Sequence, residues 1–171
     1  MSVSFELPDA AATRAFGARL AQLLRAGDLV VLTGSLGAGK TTLTQGLAAG
    51  LGATGQVASP TFIIAREHPA GVRPGGLPGL GLVHVDAYRV SGLDDLEALD
   101  LDATLDRVVT VVEWGEGLVE ALSEDRLLVT LDRPRGASGG LDLDDPESGL
   151  RIATLEGVGP RWAGVDLTAL A

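Results

Sequence analysis

The sequence predicts a three-layer α/β domain with a central, mostly parallel sheet and additional edge strands. Three observations carry that prediction. Two short runs, Leu29 to Leu32 and Val108 to Val112, are apolar apart from Thr110, as strands covered on both faces require. Segments with helical spacing alternate with such runs. A glycine-rich turn, GSLGAGKT, directly follows the first of them.

In chain order, VSFELP alternates and ends in proline, which reads as a short strand. Asp9 then caps a helix from Ala10 to Leu24, with Phe16, Leu20, Leu23 and Leu24 on one buried face and Gly27 closing it. Leu29 to Leu32 is the first buried strand, and Thr41 to Leu51 is helical. Thr61 to Glu67 and Leu82 to Val85 are two further strands. They flank PAGVRPGGLPGLG, residues 69–81, a stretch too long for a tight hairpin and expected to be a mobile loop. Leu93 to Leu105 is acidic and amphipathic, a helix or helix pair, and Val108 to Val112 is the second buried strand. Leu127 to Leu131 and Ile152 to Leu155 are later strands, separated by a flexible surface loop at residues 133–149. With 171 residues and no repeats, one domain spanning residues 1–171 is expected.

Composition narrows the function. A net charge of -10 argues against a broad basic face that would hold nucleic acid unaided. The absence of cysteine excludes a disulfide framework. Residues 1–25 lack a secretory signature, and no uncharged apolar stretch approaches the roughly 20 residues of a membrane helix. A cytoplasmic protein without a membrane partner is the expectation. Of 13 basic residues, Lys40 is the one lysine. A compact ammonium on a flexible stem differs from a rigid guanidinium fork, so its retention at that position supports a specific need.

Lys40 lies inside Gly34, Ser35, Leu36, Gly37, Ala38, Gly39, Lys40, Thr41, which matches GxxxxGK[ST] in full between a buried strand and a helix. Glycines at positions 34, 37 and 39 allow main-chain N–H groups to turn inward as an anion-holding nest, and the helix adds its positive end. Lys40 then reaches the β- and γ-phosphates, the Thr41 hydroxyl ligates Mg²⁺, and Thr42 supports the α-phosphate. The domain is therefore expected to be P-loop NTPase-like. The sequence has no asparagine, so the NKxD route to guanine is absent and ATP is the expected nucleotide.

Two acids close predicted strands where α/β folds place ligand chemistry, Asp86 in LVHVDAYR and Glu113 in VVTVVEWGE. Each suits a group that holds Mg²⁺ or orients the attacking water, and each alone also reads as a solvated strand end. His84, Tyr88 and Arg89 surround Asp86, and Trp114 follows Glu113. His84 also reads as a satisfied interior histidine, and Trp114 as a core aromatic. The acidic run Asp94, Asp95, Glu97, Asp100, Asp102 and Asp106 reads as a solvated face, with docking of a basic partner as the alternative.

Together GSLGAGKTT, SPTF at Ser59, Pro60, Thr61 and Phe62, HVDAYR and VEWGE resemble the TsaE family in order and spacing, over at least Leu7 to Glu116. The resemblance implies an ATPase required for threonylcarbamoylation of adenosine 37 in tRNA. It would act through nucleotide-dependent docking on a complex of TsaD and TsaB, and meet tRNA only indirectly. It further implies that Lys40 and Thr41 bind phosphate and Mg²⁺, that Glu113 is the metal-associated acid, and that Asp86 is a catalytic or supporting acid. SPTF would respond to nucleotide, with His84, Tyr88 and Arg89 in the same switch or partner region. Trp114 would be a sensor close to the partner, and Thr13 would lie near the base. Gly115 stands where the family often has proline, which predicts a looser turn after Trp114. Two other functions fit a P-loop: a small-molecule kinase, for which Arg133 and Arg135 could close over the phosphates, and an assembly factor with little turnover.

Overall fold

The computed structural model describes residues 2–59, 65–134 and 149–171. Its strands are β1 (Ser2–Leu7), β2 (Leu29–Thr33), β3 (Ala65–His68), β4 (Leu82–Asp86), β5 (Val109–Glu113), β6 (Arg126–Asp132) and β7 (Arg151–Val158). Its α-helices are α1 (Ala10–Leu20), α2 (Lys40–Leu51) and α3 (Leu93–Glu97). The described strands form one sheet in the order β1-β7-β6-β2-β5-β4-β3. β2 runs parallel to β5 and β6, and β4 runs parallel to β5, while β1, β3 and β7 pair antiparallel. The mostly parallel centre with added edge strands is as predicted. β2 (LVVLT) and β5 (VTVVE), the strands richest in buried apolar residues on both faces, occupy the middle, where helices and turns cover both sides.

One face of the sheet, with Val30, Leu32, Val111 and Val129, packs on Phe16 and Leu20 of α1 and on Leu43 and Leu47 of α2. The other face, with Leu29, Val31, Val85 and Val112, packs on Leu96, Leu101 and Val119. α1 and α2 approach closely through glycines. A Cβ on Gly17 would lie 2.5 Å from the Leu43 carbonyl oxygen, one on Gly50 would lie 2.6 Å from that of Ala18, and one on Gly46 would fall on the Arg14 carbonyl.

Asp9 caps α1 as expected, its Oδ1 accepting from the Ala12 N–H at 2.8 Å. The helix stops at Leu20 rather than Leu24, and the next turns use tighter bonds such as Leu23 N–H to Leu20 O. Leu24 still reaches the core. Of the two expected forms of the acidic segment, a helix or a helix pair, the structure has a pair of short elements, α3 and a 3-10 turn at Leu101–Ala103. Asp100 between them has φ 49°, a left-handed conformation that ends a helix and that Asp tolerates better than most residues. The strand predicted from Thr61 is described from Ala65 onward, and residues 61–64 lie outside the described residues.

The Pro- and Gly-rich stretch at residues 69–81 is tied to the end of α2. Gly71 N–H donates to Gly52 O at 2.8 Å and Leu80 N–H to Leu51 O at 2.9 Å, with bridges Ala53 to Ala70 and Val72 to Pro78. Near the C-terminus, Arg161 grips Asp28 through two hydrogen bonds of 2.9 Å and also donates to Leu23 O at 2.8 Å. Removing one member of such a buried pair costs about 3–5 kcal/mol. No helix among the described residues is long and apolar enough to cross a membrane.

His68 gives the fold a pH dependence. Its ring is buried, Nδ1–H donates to Thr54 O at 3.2 Å, and Nε2 has no hydrogen-bond partner among the described residues. Burial lowers its pKa. The Thr54 carbonyl opposes that shift, while His84 and Arg66 add to it. The unfolded chain therefore takes up a proton near pH 6.5 that the folded chain refuses. Stability from this residue is complete above that pH and is lost as pH falls toward the lower folded value. Thermal melts at pH 7.5 and pH 5.5 should show a drop that His68→Phe diminishes.

Candidate nucleotide-binding site

β2 delivers the chain into the loop at Gly34, and α2 begins at Lys40, so the motif occupies the strand-to-helix turn at the carboxyl end of the sheet. Gly34, Gly37 and Gly39 have φ of 148°, 79° and 106°, values that L side chains rarely adopt. Ser35, Leu36 and Gly37 are exposed at the tip, Leu36 almost completely, while Ala38 is buried beneath. Thr41 and Thr42 open α2 and are half-buried.

Lys40 is folded back over its own loop. Its Nζ donates to Gly34 O at 2.8 Å and Ser35 O at 3.1 Å, and stands 4.4 Å from the centre of the Trp114 ring. Burial pulls the ammonium pKa down, while Glu113 and then Asp86 push it back up. The cation is therefore held by dipoles, an aromatic face and two nearby negative charges.

The register places those acids. Glu113 pairs with Leu32 on one side and with Asp86 on the other, so both carboxylates end strands beside the loop. Glu113 is buried and its Oε1 accepts from His84 Nε2 at 2.8 Å. Asp86 accepts from the Tyr88 N–H at 3.0 Å and so caps the short turn Ala87–Arg89. Tyr88 and Arg89 are exposed on that turn, and the Tyr88 ring meets Trp114 edge-on at 5.6 Å.

Trp114 has φ 61°, a strained value for a bulky residue that costs on the order of 1–2 kcal/mol. Its N–H bonds Leu32 O at 3.2 Å, and the resulting turn carries the indole to Lys40. The turn that follows is not loosened by Gly115. A Cβ there would lie 2.7 Å from both Val112 Cγ1 and Val119 Cγ1, and its carbonyl accepts from Leu118 and Val119. In this chain two valines close over the glycine. Thr33 Oγ1 also donates to Glu116 Oε1 at 3.0 Å, joining β2 to this turn.

The structure thus brings Lys40, Asp86, Glu113, His84, Tyr88 and Trp114 together. Thr13 is fully buried. Its hydroxyl donates to Asp9 O at 2.9 Å, and its methyl lies 3.9 Å from where a Gly39 Cβ would be. It therefore touches the loop from the α1 side. His84, grouped above with the switch or partner region, has no exposed surface and belongs to the interior of the site. Ser59 is exposed; Pro60, Thr61 and Phe62 lie outside the described residues, as does Arg135.

Sequence reasoning missed Arg151. It opens β7, is buried, donates from Nη1 to Gly149 O at 2.7 Å, and its Nε lies 3.8 Å from a Cβ built on Gly39. An arginine entering the apolar run RIATL was the available signal.

A hydroxyl at Thr41 and carboxylates at Asp86 and Glu113 are hard oxygen donors of the kind Mg²⁺ prefers. Among the described residues no three His, Cys, Asp or Glu side chains form a metal cluster.

A parallel-centred sheet with a glycine-rich, lysine-bearing turn before a helix defines the class of P-loop α/β proteins. A model of the family described as Threonylcarbamoyl adenosine biosynthesis protein TsaE matches residues 7–138. The chain belongs to the TsaE family. It is 56% identical over 159 residues to a tRNA threonylcarbamoyladenosine biosynthesis protein TsaE of Streptomyces coelicolor, covering 92% of this chain and 99% of that one. Identity to the Mycobacterium tuberculosis protein of the same name is 47% over 133 residues, covering 74% and 77%. Among solved structures, YdiB of Bacillus subtilis is similar with a TM-score of 0.67 at 30% identity, covering 95% of this chain and 89% of that one.

Proposed function

We propose that residues 1–171 act as one cytoplasmic domain, an ATP-binding and ATP-hydrolysing subunit needed for threonylcarbamoylation of adenosine 37 in tRNA, which docks on the TsaD and TsaB proteins when nucleotide is bound. The observation that carries the reading is the placement of Lys40 at the start of α2, with Glu113 and Asp86 ending the adjacent strands. The relatives' names supply the pathway, and the acidic net charge of -10 suits a subunit that reaches tRNA through partners.

In this reading the amides of Gly34 to Thr41 cradle the polyphosphate, and Lys40 leaves the Gly34 and Ser35 carbonyls to contact its β- and γ-oxygens. Thr41 and Glu113 hold Mg²⁺, which when bound offsets charge on the phosphates. Asp86 or Glu113 orients the attacking water, and Thr42 supports the α-phosphate. Thr13 marks the side of the loop on which the base is expected. Tyr88, Arg89, Trp114 and the SPTF segment face the partner or respond to nucleotide.

The deciding experiment is capture of the chain by the TsaB–TsaD pair with and without ATP, coupled to phosphate release. ATP-dependent capture together with faster hydrolysis supports the reading. Neither effect would reject it, and labelled phosphate appearing on a sugar or nucleoside would turn it toward a kinase.

A further inference from the structure

We infer that His84 is a positioning residue for Glu113, holding one carboxylate oxygen so that the other is presented to the phosphate site. The inference deepens the proposed function and rests on its assignment of Glu113.

The geometry begins with the register. His84 is opposite Val111 in the parallel pair of β4 and β5, and Asp86 is opposite Glu113. Side chains two residues apart share a face, so His84, Asp86, Val111 and Glu113 all project from one side of the sheet. That is the side carrying Val30 and Leu32, against which α2 packs and from whose start Lys40 extends. His84 therefore lies one strand position deeper than the acids, on the same face.

Its chemistry follows from burial. A carboxylate accepts only, so the 2.8 Å contact requires a proton on Nε2 that is donated to Glu113 Oε1. Nδ1 is buried and meets no hydrogen-bond partner among the described residues. Nε2–H is therefore the ring group that faces Glu113, and Nδ1 faces away from any such partner. Glutamate has three rotatable side-chain bonds, and a hydrogen bond to a fully buried ring restricts that freedom. Oε1 is occupied, so Oε2 is the oxygen left for Mg²⁺ or for water.

His68 makes the opposite choice, with its proton on Nδ1 facing Thr54 O. The sequence has 2 histidines, and the two tautomers distinguish them in a long-range ¹H–¹⁵N NMR spectrum. The expected result is an Nε2–H ring at His84 whose signals move in Glu113→Gln. An Nδ1–H ring, or signals indifferent to Glu113→Gln, overturns the inference.

Kinetics give the second arm, on chain bound to its partner proteins. His84→Leu should lower kcat roughly 10- to 100-fold, the usual effect of losing a group that orients a ligand. It should raise the Mg²⁺ needed for half-activity and leave the KM for ATP within about twofold, because the loop amides and Lys40 are untouched. His84→Gln, which keeps an N–H donor, should recover part of the loss. In a Glu113→Gln background His84→Leu should add little. A folded His84→Leu with unchanged kcat and Mg²⁺ dependence overturns the inference, and so does a loss equally large without Glu113. If His84→Leu does not fold, His84→Gln decides: kcat must fall, with a shifted Mg²⁺ dependence and KM held. Wild-type chain that hydrolyses no ATP rejects the proposed function instead, and the NMR arm still decides whether His84 holds Glu113.

Discussion

Lys40→Ala should remove Mg²⁺-dependent ATP hydrolysis almost entirely while leaving a folded protein. The wild-type ammonium makes two hydrogen bonds, to Gly34 O and Ser35 O, and lies over the Trp114 ring. Both carbonyls border an exposed loop where water can replace the lost donor, so the nucleotide-free melting temperature should change little. With ATP present the consequence is large. A hydrogen bond to a charged group is worth about 1.5–3 kcal/mol, or roughly 10- to 100-fold in affinity. Removing a donor aimed at transition-state charge costs roughly 10²–10³-fold in turnover. Lys40→Arg should not restore activity, because the space between two carbonyls and an indole face fits a compact ammonium and not a planar fork. The check is thermal stabilisation by Mg²⁺–ATP beside phosphate release. Wild-type stabilisation surviving in Lys40→Ala would remove this residue from the nucleotide site.

Gly46→Val should be the most damaging small substitution in the fold. Helix propensity favours replacing a mid-helix glycine by about 1 kcal/mol for alanine. Contact geometry overrules that gain, since the new Cβ would fall on the Arg14 carbonyl, a backbone group that can yield only if α1 and α2 separate. Gly17 and Gly50 would resist separation at neighbouring points of the same contact. Overpacking of this kind costs about 1–3 kcal/mol or more. With an unfolding temperature shift of roughly 2–4 °C per kcal/mol for a chain of this size, a fall of about 2–12 °C is expected. Gly92→Ala is the control, because a Cβ there meets nothing within 4 Å. Equal melting temperatures for the two variants would contradict the close helix contact.

The sheet centre and the phosphate loop were legible because their signals are local. Four apolar residues in a row at Leu29 to Leu32 admit few other placements, and the GSLGAGKT glycines declare their own backbone. Elements that depend on distant partners were read less well. The stop of α1 at Leu20 arises where local helical tendency yields to packing and chain direction. The pairing of His84 with Glu113 depends on strand register, which the single sequence does not state. Arg151 reaches Gly39 because β7 runs antiparallel beside β6, and nothing near residue 151 announces that topology.

The clasp around Lys40 also makes the chain unusual in chemical labelling. With one lysine in 171 residues, an acylating or reductively alkylating reagent has a single ε-amine to find. That amine sits under an indole with its proton affinity reduced by burial, so it combines shielding with a nucleophile that is easier to unmask. A peptide map of one modified position would therefore follow the opening of the loop without any introduced tag.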